Sequence, residues 1–188
     1  MFVGCKLILS KIRELLALLL FKKTTPSQDA NLFLIGSPKV NKFTATFLEL
    51  MQGDHAPNWR FPPCPGEEPV GDYEVQLLGE PDSSNFKSHC REVSVAGMRK
   101  DYGLIVRGPH PFHPHRMVTI MAGPHSLGTG AACLAATKPK LVCEISERLA
   151  GVIDLTTRDR TFWVLVEAET DDHLDVANVH LHSAGIFS

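Results

Sequence analysis

Nearly continuous apolar runs of strand length, at 31–35, 102–107, 117–122 and 162–168, are the pattern of strands buried on both faces. Segments with helical spacing lie between several of them, and two of the runs end in glycine-punctuated turns that open into helices. Together these observations predict an α/β fold, a three-layer sandwich of the Rossmann-like or flavodoxin-like kind built on a mostly parallel sheet.

The N-terminus holds the most apolar run of the chain, Leu15-Leu16-Ala17-Leu18-Leu19-Leu20-Phe21. Lys6, Lys11, Arg13 and Glu14 interrupt its surroundings, so no uncharged stretch approaches the ~20 residues of a bilayer span. The order of a signal peptide is absent. On a helical wheel Ile8, Ile12, Leu15, Leu16 and Leu19 share one face, while Lys6, Ser10, Arg13 and Glu14 share another. Residues 1–23 are therefore expected to form an amphipathic helix. It would dock onto its own domain, a second copy or, through residues 2–21, a membrane surface. Residues 24–30 read as a linker and 31–188 as a single domain.

Within that domain, residues 31–35 form a strand followed by the turn Gly36-Ser37-Pro38-Lys39-Val40-Asn41. Phe43, Phe47, Leu50 and Met51 then recur at helical spacing, with Asn41 placed to cap the helix. Proline and glycine are dense from 53 to 71, which predicts an irregular surface insertion. Strand candidates follow at 73–78, near 93–96, and at 102–107, 117–122, 162–168 and 176–182. Two helices separate the fourth and fifth of these. One starts near Thr129; the other runs from about Pro139 to Leu149, with proline in its first turn and Gly151 at its end.

A length of 188 residues with 44% hydrophobic content suits one domain with a substantial core. The 19 basic and 21 acidic residues leave a net charge of -2, so nucleic acid is not an expected partner. Cys5, Cys64, Cys90, Cys133 and Cys143 are odd in number and widely spread, without a Cys-x-x-Cys pair. They read as the reduced thiols of a cytoplasmic protein.

Ligands of open α/β sheets bind beyond the carboxyl ends of the strands, where the turns 36–41 and 123–129 are both expected. The leading reading is a sensor or effector domain for a small anionic ligand, a nucleotide or another anionic metabolite. Ser37 and Asn41 would offer side-chain hydrogen bonds, and amides around Gly36, Gly123, Gly128 and Thr129 would cradle the anion. Arg107 or His125 would supply charge. Neither turn meets a cofactor motif: the first lacks the dinucleotide glycine spacing, and Thr129-Gly130 stands where a P-loop needs lysine and then serine or threonine. Nucleotide hydrolysis and a bound cofactor are accordingly not expected.

Two alternatives stand beside this reading. His125-Ser126-Leu127-Gly128, between strand and helix, resembles the nucleophile elbow of α/β-hydrolases, with Asp154 and His180, or His173 or His182, to complete a triad. Pro124 at the small-residue position and the lack of an oxyanion loop oppose it. The other alternative is a non-catalytic interaction module using the N-terminal helix. His110, His113 and His115, together with His125, raise a metal site, but proline-rich connections rarely hold ligand geometry, so these histidines read as solvated and no metal is expected.

The segment 31–41 (Asn-Leu-Phe-Leu-Ile-Gly-Ser-Pro-Lys-Val-Asn), Asp101-Tyr102-Gly103-Leu104-Ile105, Pro111-Phe112 and Ala122-Gly123-x-His125-x-x-Gly128-Thr129 together resemble an uncharacterised group of bacterial Rossmann-like domains. These accompany regulatory or signalling modules, and the resemblance spans 31–182. It implies a fold and a pocket, adds Asp101 to the ligand-binding set, and brings no known reaction. That group tends to read Asn-Pro-Phe-Asn around Phe112, where this chain has His110 and His113.

Overall fold

Two short hairpin connections and one long-range parallel pairing organise the main sheet. The computed structural model describes residues 30–51, 58–62, 74–78, 86–88, 99–150, 161–170 and 176–186. The expected N-terminal helix at 1–23, most of the linker at 24–30, the strand candidate near 93–96 and Asp154 lie outside them. In chain order the elements are β1 (Leu32–Ile35), α1 (Lys42–Met51), β2 (Asn58–Arg60), β3 (Glu74–Leu78), β4 (Phe86–Lys87) and β5 (Arg99–His110). There follow β6 (His113–Ala122), α2 (Ser126–Thr137), α3 (Pro139–Ala150), β7 (Phe162–Thr170) and β8 (Val176–Ile186).

The main sheet has the order β1-β6-β5-β7-β8, and a second sheet has the order β2-β3-β4. Only β1 and β6 run parallel; β6–β5, β5–β7 and β7–β8 are all antiparallel. The expected mostly parallel three-layer sandwich is thus corrected to a strand-dominated fold around a mixed sheet. The reason lies in connection length. Pro111 and Phe112 alone join β5 to β6, and residues 171–175 join β7 to β8, whereas a parallel crossover needs a dozen residues or more. A continuous apolar run reports burial on both faces, and antiparallel strands covered on both faces produce the same run.

Both faces are covered, but unequally. On one face α2 and α3 pack Ala131, Ala132, Ala135, Leu141, Ile145 and Leu149 onto the odd-numbered side of β5 and its register partners in β7. On the other, α1 brings Phe47 and Leu48, and the small sheet brings Trp59 and Val75, against Leu104, Val106, Val118, Ile120 and Leu165. The segment expected to be an irregular insertion therefore contributes a strand: β2 places Trp59 in the core, edge-on to Trp163 with ring centroids 5.0 Å apart.

Helix α2 sits unusually low on the sheet. A Cβ at Gly128 would overlap the backbone carbonyl of Tyr102, and one at Gly103 would overlap the carbonyl of Gly128, so helix and strand meet backbone to backbone. The fully buried Ala131, Ala132 and Ala135 continue this small-residue contact along the helix. A Cβ at Gly130, two residues further on, would meet only Val176 Cγ2, at 3.9 Å. Gly128→Ala is expected to cost about 1–3 kcal/mol through overpacking. Gly130→Ala should instead gain up to about 1 kcal/mol of helix propensity. Urea denaturation of the two variants checks this pair of opposite signs.

Candidate functional site

The two glycine corners of the sequence are neighbours. Gly36 leaves β1 with φ 109°, a backbone that favours glycine, and its N–H donates to Met121 O on β6 at 3.0 Å. The chain then folds back as Val40 and Asn41 amides donate to Ser37 O at 3.1 and 2.9 Å. Asn41 closes the corner: its Nδ2 donates to Ile35 O at 3.0 Å, and its Oδ1 accepts from the amides of Phe43 at 3.0 Å and Thr44 at 3.4 Å. It is the N-cap of α1. From here α1 takes one face of the sheet, while α2, leaving β6 through Gly123, takes the other. Adjacent parallel strands whose helices part to opposite faces form a topological switch point.

At this point the start of α2 is already provided with a hydrogen-bond acceptor. His125 is the N-cap, with extended backbone, but its side chain makes no capping hydrogen bond. The acceptor comes from Asp101 on β5 instead: fully buried, its Oδ2 accepts from the Gly128 amide at 2.6 Å. Thr129 N in turn donates to His125 O at 3.1 Å within the helix. The dipole and the first-turn amide that the sequence reading offered to a ligand are thus engaged by the protein's own side chain. Burial pushes the Asp101 carboxyl above its usual range, opposed by the Gly128 amide and by the charge of His125. Asp101 Oδ1 has no hydrogen-bond partner among the described residues.

The hydrolase residues are not gathered. Ser126 is exposed in the first turn of α2. His180 pairs in register with Glu167, whose side of the sheet also carries Lys100, bound to Glu167 at 2.6 Å; this is the face away from α2. Asp154 and His173 lie outside the described residues. His110 is buried rather than solvated: its ring stands edge-on to Phe47 at 5.2 Å, and its Nδ1 accepts from Phe112 N at 3.1 Å. Desolvation, with His113 nearby, lowers its pKa. Among the described residues no group of three or more His, Cys, Asp or Glu side chains could hold a metal ion. No helix among them is long and apolar enough to cross a membrane.

Arg107 is not at the switch point either. It pairs with Thr119, two positions before Met121 on the same face, and it lines a cavity of about 330 Å³ between the sheet and the far end of α2. The floor is a cross-strand row in register, Phe33, Thr119, Arg107 and Phe162, with Ile105 and Val164 from the next row. Ala135 and Ala136 of α2 and Val142, Ile145 and Ser146 of α3 close it from above. Phe33, 69% exposed, and Val142, 40% exposed, stand at its open side. The sequence does not show this cavity because its lining is drawn from separate segments spread between residues 33 and 164. Period-two spacing of Ile105 and Arg107 on a strand was the one available signal that an arginine shares an apolar face.

The raised Asp101 pKa carries a sign that can be measured. A carboxyl whose folded pKa exceeds its unfolded value favours the fold fully below the unfolded pKa and loses that contribution as pH rises through the folded one. Asp101→Asn does not titrate. The stability of the parent minus that of Asp101→Asn should therefore fall as pH rises above about 4, the range of an unfolded aspartate, read by chemical denaturation at each pH. A difference that stays flat or grows would contradict the assignment. Compared with known protein families, curated proteins and solved structures, the chain matches none of them.

Proposed function

We propose that the protein is a small-ligand-binding module whose site is the cavity between the main sheet and the α2–α3 pair. The observation that carries this is the cavity itself. At about 330 Å³ it falls in the range of small-molecule sites, and its mostly apolar wall is interrupted by three polar side chains, Arg107, Thr119 and Ser146. The switch point supports a nucleotide less well, because the Gly128 amide that would receive a phosphate at the first turn of α2 already donates to Asp101.

A sensor or effector role fits the same geometry. The cavity is walled by β1, β5, β6 and β7 and by two helices, so an occupant would join β1 to α3 across an otherwise open side. Binding to the folded form alone stabilises it by mass action, and the fold would report ligand concentration through that linkage.

Amide NMR titration with a panel of small aliphatic and aromatic acids and alcohols tests the reading. Shifts should converge on Ile105, Thr119, Ala135 and Ile145. Ala136→Phe, which places a ring at the cavity rim, should abolish them while leaving the spectrum folded. A panel that produces no localised shifts, or that binds Ala136→Phe equally well, would overturn the proposal.

A further inference from the structure

We infer that the ligand class of this cavity is a monocarboxylate with an apolar body, its carboxylate paired with the Arg107 guanidinium. The inference rests on the cavity being a binding site, as proposed above, and goes beyond it in naming what is bound.

Arg107 is the one charged residue in the lining. The register places it between Thr119 and Phe162 in the floor row, on the face roofed by α2 and α3. It is half-buried, and no described residue forms an ion pair with it. A guanidinium partly withdrawn from water without a counter-charge is costly, and an incoming anion offsets that cost. At the nearby end of α2 Lys138 N donates to Leu134 O at 2.8 Å and Thr137 Oγ1 to Cys133 O at 2.8 Å, without the arginine. The charge is left to face the cavity.

The rest of the lining selects among anions. One planar guanidinium matches one carboxylate through two parallel N–H···O bonds, and the hydroxyls of Thr119 in the floor and Ser146 in the roof are further hydrogen-bonding groups in the lining. A doubly charged phosphate would find no second cation in the lining. Beyond the head group the surfaces are Ile105, Ile145, Val164 and the two phenylalanines, which favour hydrocarbon. At about 30 Å³ per water-sized group, a volume of 330 Å³ holds roughly ten non-hydrogen groups. Octanoate and 3-phenylpropanoate have that size.

The test is a calorimetric titration of the full chain at about pH 7, where the acids are ionised, with octanoate, 3-phenylpropanoate and neutral 1-octanol, on the parent protein, Arg107→Met and Arg107→Lys. The acids should bind more tightly than the alcohol. Arg107→Met should weaken the acids by about 10- to 100-fold, the loss of a charge-assisted pair, and leave 1-octanol unchanged. Arg107→Lys, which keeps the charge but not the fork, should fall between. Retained alcohol binding by Arg107→Met shows that the variant is folded with its cavity intact. Equal affinity for acid and alcohol, or an unaltered acid affinity in Arg107→Met, would overturn the carboxylate assignment while the cavity remained a binding site. No binding of any of the three would remove both readings.

Discussion

The backbone-to-backbone contact between α2 and β5 sets the height of everything on the helical face. Gly128 and Gly103 remove the side chains that would hold the two apart, and Asp101 reaches from the strand to the buried first-turn amide of Gly128. A helix seated this closely at its start, and carried on a row of fully buried alanines, leaves little freedom in where its end lies. The α2–α3 connection is short, so α3 inherits that placement. The cavity over Arg107 is the space this arrangement leaves at the far end.

Much of the local structure was legible in the sequence. Helices beginning near 42 and 139 follow from apolar spacing, from Asn41 as a cap and from Pro139 in a first turn; the helix expected from about Thr129 starts at Ser126, and β1, β3 and β5–β8 follow from their apolar runs. Strand direction was misread although the information was present. A two-residue link at Pro111-Phe112 admits only a hairpin, but the histidines and prolines of 108–116 looked like a loop and masked the fact that they continue both strands. Trp59 shows a second kind of error. Proline and glycine density on either side predicts irregular structure, whereas a three-residue strand needs only an apolar anchor and a partner, supplied here by Trp163 and β3.

The candidate site was legible in part and for a specific reason. The neighbouring glycine corners follow from strand–loop–helix grammar, and they do lie side by side. What a linear reading could not supply is which side chain reaches a given amide. Asp101 and Gly128 are 27 residues apart, and nothing in the spacing marks a carboxylate on one strand as the partner of a helix that follows another. The same limit hid the row Phe33, Thr119, Arg107 and Phe162, whose members become neighbours only through register.

The order in which these contacts can form follows from the connection lengths. The β5–β6 hairpin closes a two-residue loop, while β1 must find β6 from far away, with Asn31 and Met117 86 residues apart when they bond. Loop-closure entropy rises with that separation and favours local pairs first. The short outer strand, held on one side only among the described residues, is thus assembled onto a scaffold that already exists, and its hydrogen bonds rank among the first to open in native-state fluctuations. Phe33 travels with it, so the wall of the cavity nearest solvent is also the part of the sheet with the lowest cost of momentary release.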